Sequence, residues 1–198
     1  MNKLHNSDSS LKKNRNKPSL LLHICCAPCA THTVELLKKD FCLTGLFYNP
    51  NIQPEMEFNR RKDEAQRLAS LMNFNLICQH EGQAEWFESV KGLEKEPEGG
   101  KRCSICYEFR LDKAARFAKE NGFTWLATTL TISPHKKATI INEIGKTVSE
   151  KYGLNFFAAD FKKKDGFKIS CELSEKYQLY RQDYCGCLFS LATKKDRW

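Results

Sequence analysis

Short apolar runs alternate with longer amphipathic segments along the chain from Ser19 onward. Buried strands are predicted for the runs SLLLHI, FCLTGLFYNP, FNLICQH, TWLATTL and NFFAADF, and a stretch with helical spacing follows each of them. Strands and helices that alternate in this way form βαβ units and a mostly parallel sheet with helices on both faces. The sequence therefore predicts a Rossmann-like α/β fold, in which ligands bind at the carboxyl ends of the strands.

The helical patterns and the chain's N-terminus complete the predicted organisation. Helices are predicted over residues 28–40, 54–73, 84–94, 107–123, 135–153 and 170–184. Residues 1–18 are polar, rich in lysine and without periodicity, so they are expected to be a disordered basic tail. A single α/β metallo-domain is expected over residues 19–198. No secretory signal or membrane span is predicted, so we expect a cytoplasmic protein with no membrane partner.

The chain has ten cysteines, and their grouping indicates a metal site. Thiols stay reduced in the cytosol, so metal ligands explain these cysteines better than disulfides do. Three tight groups account for seven of them: Cys25-Cys26-x-x-Cys29, Cys103-x-x-Cys106 and Cys185-x-Cys187. Close spacing lets the sulfurs of one group face one metal or cluster, so we predict that all seven converge at one end of the sheet. Cys42 and Cys78 are expected to be small buried hydrophobes away from this site, and Cys171 to be structural.

The number of grouped cysteines favours iron over zinc. A structural zinc site takes four thiolates, and so does an iron–sulfur cluster, which leaves as many as three for a second metal or for catalysis. The first group directly follows the first predicted strand, where a glycine-rich phosphate loop would stand in a nucleotide-binding relative. A metallocentre is therefore expected at the mouth of the sheet.

Five motifs in order resemble those of the cobalamin-independent epoxyqueuosine reductases, the QueH family. They are LLLHICCAPC, FYNPNIQPEMEFNRR, KRCSICYEFRL, ATTLTISPHK and QDYCGC, and the resemblance extends from about Ser19 to Ser190. It implies a fold like that of the adenine nucleotide α-hydrolases, a [4Fe-4S] cluster, and a neighbouring iron held by cysteines and in some members by an aspartate. The implied reaction is the last step of queuosine synthesis, in which epoxyqueuosine at the tRNA wobble position is reduced to queuosine. Cys29 stands where such an aspartate would end the first motif, which leaves the second iron's ligand set open.

Removal of an epoxide oxygen as water needs two electrons and two protons. The electrons require a donor whose identity the sequence does not give. Tyr107, Asp183, His23 and His135 are all possible proton donors, and Tyr107 and Asp183 are taken as the candidates. His23 could instead be a structural histidine at the end of a strand.

Substrate contacts are expected from side chains near the ends of the second and fourth strands and on the helix after the CxxC pair. The candidates are Tyr48, Asn49, Asn51, Arg60, Arg61, Arg110, Thr129 and Ser133. Tyr48 could stack on a base or merely finish its strand, and Ser133 could merely cap the next helix. The two consecutive arginines could hold phosphates or pair with Glu57.

The formal charge of +8 suits tRNA as a partner, because phosphates attract basic surfaces. If so, the basic side chains should gather around the cysteine mouth, with Arg60, Arg61, Lys101 or Arg102 on its rim.

Two other functions are consistent with parts of the sequence. An ATP-pyrophosphatase-type tRNA-modifying enzyme would share the fold, although the cysteines occupy the place of its phosphate loop. A non-enzymatic, zinc-stabilised RNA-binding module would share the thiols and the charge.

Overall fold

The sheet is entirely parallel. A computed structural model describes residues 17–195, with side chains up to residue 192; the expected disordered tail therefore lies outside the described residues, apart from its last two positions. The strands are β1 (Ser19–His23), β2 (Cys42–Tyr48), β3 (Asn75–Gln79), β4 (Trp125–Thr128) and β5 (Asn155–Phe156). They pair in the order β3-β2-β1-β4-β5, with every pair parallel. The predicted parallel α/β fold is confirmed.

Helices cover both faces of this sheet. They are α1 (Ala27–Leu37), α2 (Glu55–Met72), α3 (Gln83–Ser89), α4 (Lys101–Glu120), α5 (Ala138–Lys151), α6 (Gly166–Lys176) and α7 (Leu188–Lys195), with a 3₁₀ turn at Thr129–Ile132. None of the helices in the described part of the chain is long and apolar enough to cross a membrane.

Alternate residues of each strand are buried in two different cores. In β1, Leu20 and Leu22 pack into the core that includes α1 and α2, whereas Leu21 packs into the core that includes α4 and α5. Successive side chains of a strand point to opposite faces, so an unbroken apolar run such as Leu20–Leu22 belongs in a sheet that is covered on both sides. The central strands β1, β2 and β4 all contribute side chains to both cores.

The strand order reverses between β1 and β4. From β1 the chain proceeds to β2 and β3 on one side of the sheet, and then to β4 and β5 on the other. The last residues of the two central strands, His23 and Thr128, are direct neighbours. A crevice for ligands opens at such a switch point in parallel α/β sheets, and Cys25 follows β1 directly into it.

Two helix boundaries differ from those predicted. Residues 95–106 were expected to form a loop, but α4 already begins at Lys101, because the Glu96 carboxylate accepts the Lys101 N–H (2.9 Å) and satisfies an amide of the first turn. Cys103 and Cys106 therefore lie on a helix.

The last predicted helix, 170–184, is shifted, since α6 begins at Gly166 and ends at Lys176. Gln178 adopts a left-handed conformation (φ 51°) and the Leu179 N–H returns to the Ser174 carbonyl, which closes the helix.

Candidate active site

A cavity of about 510 Å³ opens at the carboxyl ends of the central strands. Cys25, Cys29 and Cys185 contribute to its wall, so two of the three cysteine groups reach it directly. Its volume is in the range of small-molecule sites. The cavity lies at the sheet edge where the sequence predicted the metallocentre.

The first cysteine group is compact. The sulfur atoms of Cys25, Cys26 and Cys29 all lie within 4.8 Å of one another, and the Cys25 and Cys26 sulfurs are 3.8 Å apart. Two thiolates bound at about 2.3 Å to one tetrahedral metal ion lie about 3.8 Å apart. The spacing therefore fits three ligands of a single metal ion. Helix α1 begins at Ala27, and Pro28 and Cys29 follow on its first turn.

Neighbouring side chains hold this group in place. Thr129 accepts the backbone N–H of Cys25 (3.0 Å) and donates its hydroxyl to the Cys25 sulfur (3.2 Å). The Gln182 amide donates to the Cys26 sulfur (2.8 Å). The prediction that Thr129 contacts substrate is therefore not supported, because its hydroxyl is used on Cys25 and does not line the cavity. Thr129 and Gln182 orient the thiols.

The other four grouped thiols lie near enough to shift one another's pKa values, but they are not gathered as closely as the first group. Cys106 and Cys187 are buried in an apolar group with Trp86 and Val90. The Cys103 sulfur accepts the Gly99 N–H (3.2 Å), and the Cys187 sulfur accepts the Ser190 N–H (3.4 Å). Backbone hydrogen bonds to sulfur and exclusion of water are typical of iron–sulfur sites. A hydrogen bond from Cys187 lowers the pKa of the Cys185 thiol to about 6, although burial opposes it.

Lys136 lies near both sets of thiols and was missed in the sequence. It lines the cavity and is half-buried. Burial would lower the pKa of Lys136, but the nearby Cys185 and Cys25 thiols outweigh this effect and raise it, so the ammonium stays charged. A cation between groups of thiolates reduces their mutual repulsion. Its position in the segment SPHK, which follows the carboxyl end of the central strand β4, could have indicated that Lys136 lies near the site.

Two of the four proton-donor candidates do not reach the cavity. His23 is fully buried; its Nδ1 accepts the Thr128 hydroxyl (2.9 Å) and its Nε2 donates to the Tyr48 carbonyl (3.2 Å). Burial and the Arg110 guanidinium lower the pKa of His23 to about 3, so it is neutral and structural. Tyr107 is buried in the core under α4, where burial raises its pKa, and it does not line the cavity. Asp183 and His135 do line it.

Tyr48 also lies elsewhere. Its ring is buried in the same core as Leu46 and Tyr107, and it lines a separate cavity with Gly82 and Phe109. A residue two positions along a strand shares its face, so Tyr48 follows Leu46 into this core and does not line the cysteine-lined cavity. It cannot stack on a base in the cysteine-lined cavity.

Two of the arginines expected on the basic rim, Arg61 and Arg102, are buried and hydrogen-bonded within the chain, and of these two only Arg61 lines the cavity. Arg61 donates to the Glu57 carboxylate (2.6 Å) and to the carbonyls of Cys185 (3.1 Å) and Tyr184 (3.2 Å). Arg102 donates to three carbonyls of the loop before α4, those of Leu93, Glu94 and Glu96. Arg61 therefore fastens the Cys185-x-Cys187 segment onto α2.

The remaining rim candidates lie on the surface outside the cavity. Arg60 is exposed and its guanidinium stacks over the Tyr180 ring, and Lys101 is exposed at the start of α4. Neither lines the cavity. The basic groups that do line it include Lys136, Arg110 and Arg181.

Removing the Arg61 clamp should destabilise the fold. We expect Arg61→Gln to lower the free energy of unfolding by about 2–4 kcal/mol, because buried carbonyls and a largely buried carboxylate lose their donor. Arg116→Gln is the matched control: Arg116 has the same i,i+4 pairing, with Glu120, but is 61% exposed, so its loss should cost at most about 0.5 kcal/mol. Urea unfolding of both variants measures the difference. Equal losses would show that Arg61 is not a clamp.

Unpartnered polar atoms also face the cavity. Arg110 donates to the Asn49 side-chain oxygen, and Asn49 in turn donates to the Ile24 carbonyl (3.0 Å). Among the buried side-chain atoms without a hydrogen-bond partner in the described part of the chain, three belong to residues that line the cavity: Nε of Arg110, Oδ1 of Asn51 and Oε1 of Gln182. Buried polar groups are costly unless a ligand or water satisfies them. Asn49, Asn51 and Arg110 thus lie where substrate contacts were predicted, and Ser133, which accepts the His135 N–H (3.3 Å), lies there as well.

Comparison with known proteins gives consistent sequence matches. The family model described as epoxyqueuosine reductase QueH matches residues 20–193. The epoxyqueuosine reductase QueH of Streptococcus pyogenes serotype M1 is 43% identical over 185 residues, which cover 90% of this chain and 72% of that protein. The Thermotoga maritima protein of the same name is 36% identical over 183 residues, or 90% of this chain and 93% of that protein.

Two solved structures with similar folds are described as tRNA-modifying proteins. The U34-tRNA thiolase NcsA from Methanococcus maripaludis, with its [4Fe-4S] cluster, superimposes with a TM-score of 0.58 at 14% identity, over 92% of this chain and 66% of that one. A predicted tRNA methyltransferase subunit from Methanocaldococcus jannaschii gives 0.52 at 12% identity, over 77% and 76%. At these identities the matches establish the fold alone, and they agree with the parallel α/β fold described above.

Proposed function

The chain belongs to the epoxyqueuosine reductase QueH family, and on that basis we propose that the cavity at the switch point is where it reduces epoxyqueuosine on tRNA. The observation that carries this assignment is the convergence of thiols and unsatisfied polar atoms on one cavity. Cys25, Cys29 and Cys185 line the same space as the unpartnered atoms of Asn51 and Arg110. The thiols can hold redox metals, and the polar atoms can bind a nucleobase.

The reaction is a two-electron reduction. Both C–O bonds of the epoxide break, a C=C bond forms, and the oxygen leaves as water after taking up two protons. The electrons come from an external donor. Bound in this site, a [4Fe-4S] cluster would supply electrons one at a time and a neighbouring iron would supply a Lewis acid for the epoxide oxygen.

The two sets of thiols suggest which residues would hold each group. Cys25, Cys26 and Cys29 have the spacing of ligands to one ion, so we assign them to the second iron. Cys103, Cys106, Cys185 and Cys187 provide the four thiolates that a [4Fe-4S] cluster takes. Two of the three cysteines assigned to the iron, Cys25 and Cys29, line the cavity, whereas only Cys185 of the four assigned to the cluster does, so this assignment places the Lewis acid on the substrate side.

The other cavity residues would bind the nucleobase and supply a proton to the epoxide oxygen. Asn51 and Arg110 offer an unpartnered acceptor and an unpartnered donor to the edge of the base, and Asn49 holds Arg110 in place. We propose the Asp183 carboxyl as the proton donor to the departing oxygen, because it lines the cavity whereas Tyr107 does not. The Lys136 ammonium balances the charge of the thiolates and favours developing negative charge on that oxygen.

The tRNA must present its wobble base as a single unstacked nucleotide. A cavity of about 510 Å³ can enclose one nucleoside but not a stem. Sequence-specific recognition of RNA generally targets loop bases that can be splayed out, and the anticodon is such a loop. The cavity and the substrate position therefore suit each other.

The decisive experiment is anaerobic purification followed by iron, sulfide and zinc analysis and a turnover assay on epoxyqueuosine-containing tRNA with a chemical reductant. We expect a coloured protein that contains iron and acid-labile sulfide and forms queuosine. A colourless zinc protein without turnover would instead indicate the RNA-binding module. ATP-dependent sulfur transfer would indicate the ATP-pyrophosphatase-type enzyme.

A further inference from the structure

Phe167 is an exposed aromatic residue on the wall of the cavity. Four large apolar residues are exposed among the described residues, namely Met56, Leu71, Phe167 and Leu188, and of these Phe167 is the aromatic one and lines the cavity. Its side chain is 37% exposed, and its ring makes no aromatic or cation–π contact with any described residue. An aromatic face that is left open beside a ligand cavity is available to stack on a planar group.

The chain fixes Phe167 at this position from both sides. Ser170, one turn further along α6, donates to the Pro28 carbonyl (2.6 Å), so this face of α6 is docked on the first turn of α1, beside Cys29. Gly166 precedes Phe167, and a Cβ at that position would overlap the Phe161 carbonyl. Lys164 and Asp165 enter the turn with positive φ values of 52° and 59°. The ring is therefore carried by an anchored turn rather than by a loose loop.

Several lysines without an ion-pair partner among the described residues flank Phe167 in the sequence. Lys163, Lys164 and Lys168 are exposed, and the structure shows no ion pair for them within the described residues. The neighbouring Lys162 pairs with Asp160 (2.9 Å) and donates to the Lys136 carbonyl (3.3 Å), which ties this loop to the cavity residue Lys136. Free lysines next to an open aromatic ring are the combination that single-stranded nucleic acid binding uses.

We propose that Phe167 stacks on the base of the nucleotide that enters the cavity, and that Lys163, Lys164 and Lys168 bind the phosphates that flank it. This subsite rests on the proposed function, because the nucleotide is the one whose epoxide meets the cysteines. On this proposal the basic groups that bind phosphate lie around the first turn of α6, beside the cavity, and not at Arg60, Lys101 or Arg102.

The test compares Phe167→Ala, Phe167→Leu and Phe167→Trp on an anticodon stem-loop RNA that contains epoxyqueuosine, with dithionite as reductant. Loss of stacking should raise KM and weaken RNA binding roughly tenfold to a hundredfold for the alanine and leucine variants, with kcat within about threefold of wild type. The tryptophan variant should bind like wild type. Iron content and visible absorbance should be unchanged in all three.

Matched controls isolate the ring and the charges. Leu71→Ala removes an exposed apolar side chain on α2 that does not line the cavity, and should leave binding unchanged. Replacing all three lysines by glutamine should lower the salt dependence of binding by up to about three in log–log slope. Lys119→Gln, at the far end of α4, should not change it.

Each remaining outcome rejects a different statement. Wild-type binding by Phe167→Ala or Phe167→Leu overturns the stacking proposal while the reductase assignment stands. Unchanged RNA binding, with a turnover defect seen only when a protein replaces dithionite as electron donor, would show that this surface binds the donor and not RNA. Failure of the wild-type protein itself to form queuosine would reject the proposed function, and with it this subsite.

Discussion

Replacing Cys106 with serine should strip the protein of most of its iron and lower the turnover of epoxyqueuosine by roughly a hundredfold or more. Cys106 is buried in an apolar group with Trp86, Val90 and Cys187, where water cannot replace a missing ligand. Serine has nearly the same size, so the fold should survive, but its hydroxyl lacks the soft thiolate that iron–sulfur clusters require. Iron and sulfide per protein, visible absorbance and turnover on tRNA should all fall together.

Cys42→Ser is the control for this substitution. Cys42 is exposed at the first residue of β2, at the opposite end of the strand from the cavity. It should keep full iron content and full turnover. If Cys106→Ser also retained its iron and its absorbance, the assignment of Cys106 to the cluster would be wrong.

The position of the candidate site could be predicted from sequence because the relevant signals are local. An unbroken apolar run from Leu20 to Leu22 can belong only to a strand buried on both faces, and Cys25 follows directly at its carboxyl end. The parallel topology then decides which ends of the strands meet. Thr128 and His23 become neighbours although 105 positions separate them in the chain, and Thr129 reaches Cys25 for the same reason.

The roles of the arginines could not be predicted, because their partners are backbone carbonyls of irregular segments. Arg61 contacts Tyr184 and Cys185, more than 120 positions away, and Arg102 contacts a loop whose path no periodicity reveals. Sequence shows that a guanidinium is present but not whether it is already satisfied. Both arginines are buried and already donate to three acceptors within the chain, so they are fixed in place, and the charge pattern of the sequence does not reveal this.

The predicted positions of Tyr48 and Cys42 were wrong, and strand geometry could have corrected both. Tyr48 is two residues beyond Leu46, and strand periodicity assigns both to the face that packs against α4 and α5. Cys42 was expected to be buried but begins its strand, where the helices do not cover it. The role of Lys136 could not be predicted in this way, because the thiols that raise its pKa, Cys185 and Cys25, come from two distant segments of the chain.

Cys29→Ser should separate the second iron from the cluster. Cys29 lines the cavity and lies within 4.8 Å of both Cys25 and Cys26, as a ligand of the same ion would. The serine variant should lose about one iron per protein and most of its turnover. It should keep its sulfide content and most of its visible absorbance, because the four cluster thiols are untouched. Iron and sulfide analysis beside the turnover assay distinguishes it from Cys106→Ser, which should lose both.

Cys29→Asp tests whether the loss reflects a missing ligand. A carboxylate is also a competent ligand for iron, and a negative side chain on the first turn of α1 is favoured by the helix dipole. Aspartate should therefore restore the second iron and part of the turnover, whereas Cys29→Asn, which has the same shape without the charge, should restore neither. Full iron content and full turnover in Cys29→Ser would show that Cys29 is no ligand. Equal restoration of turnover by the aspartate and asparagine variants would show that the position acts by shape, and the second-iron assignment would then fail.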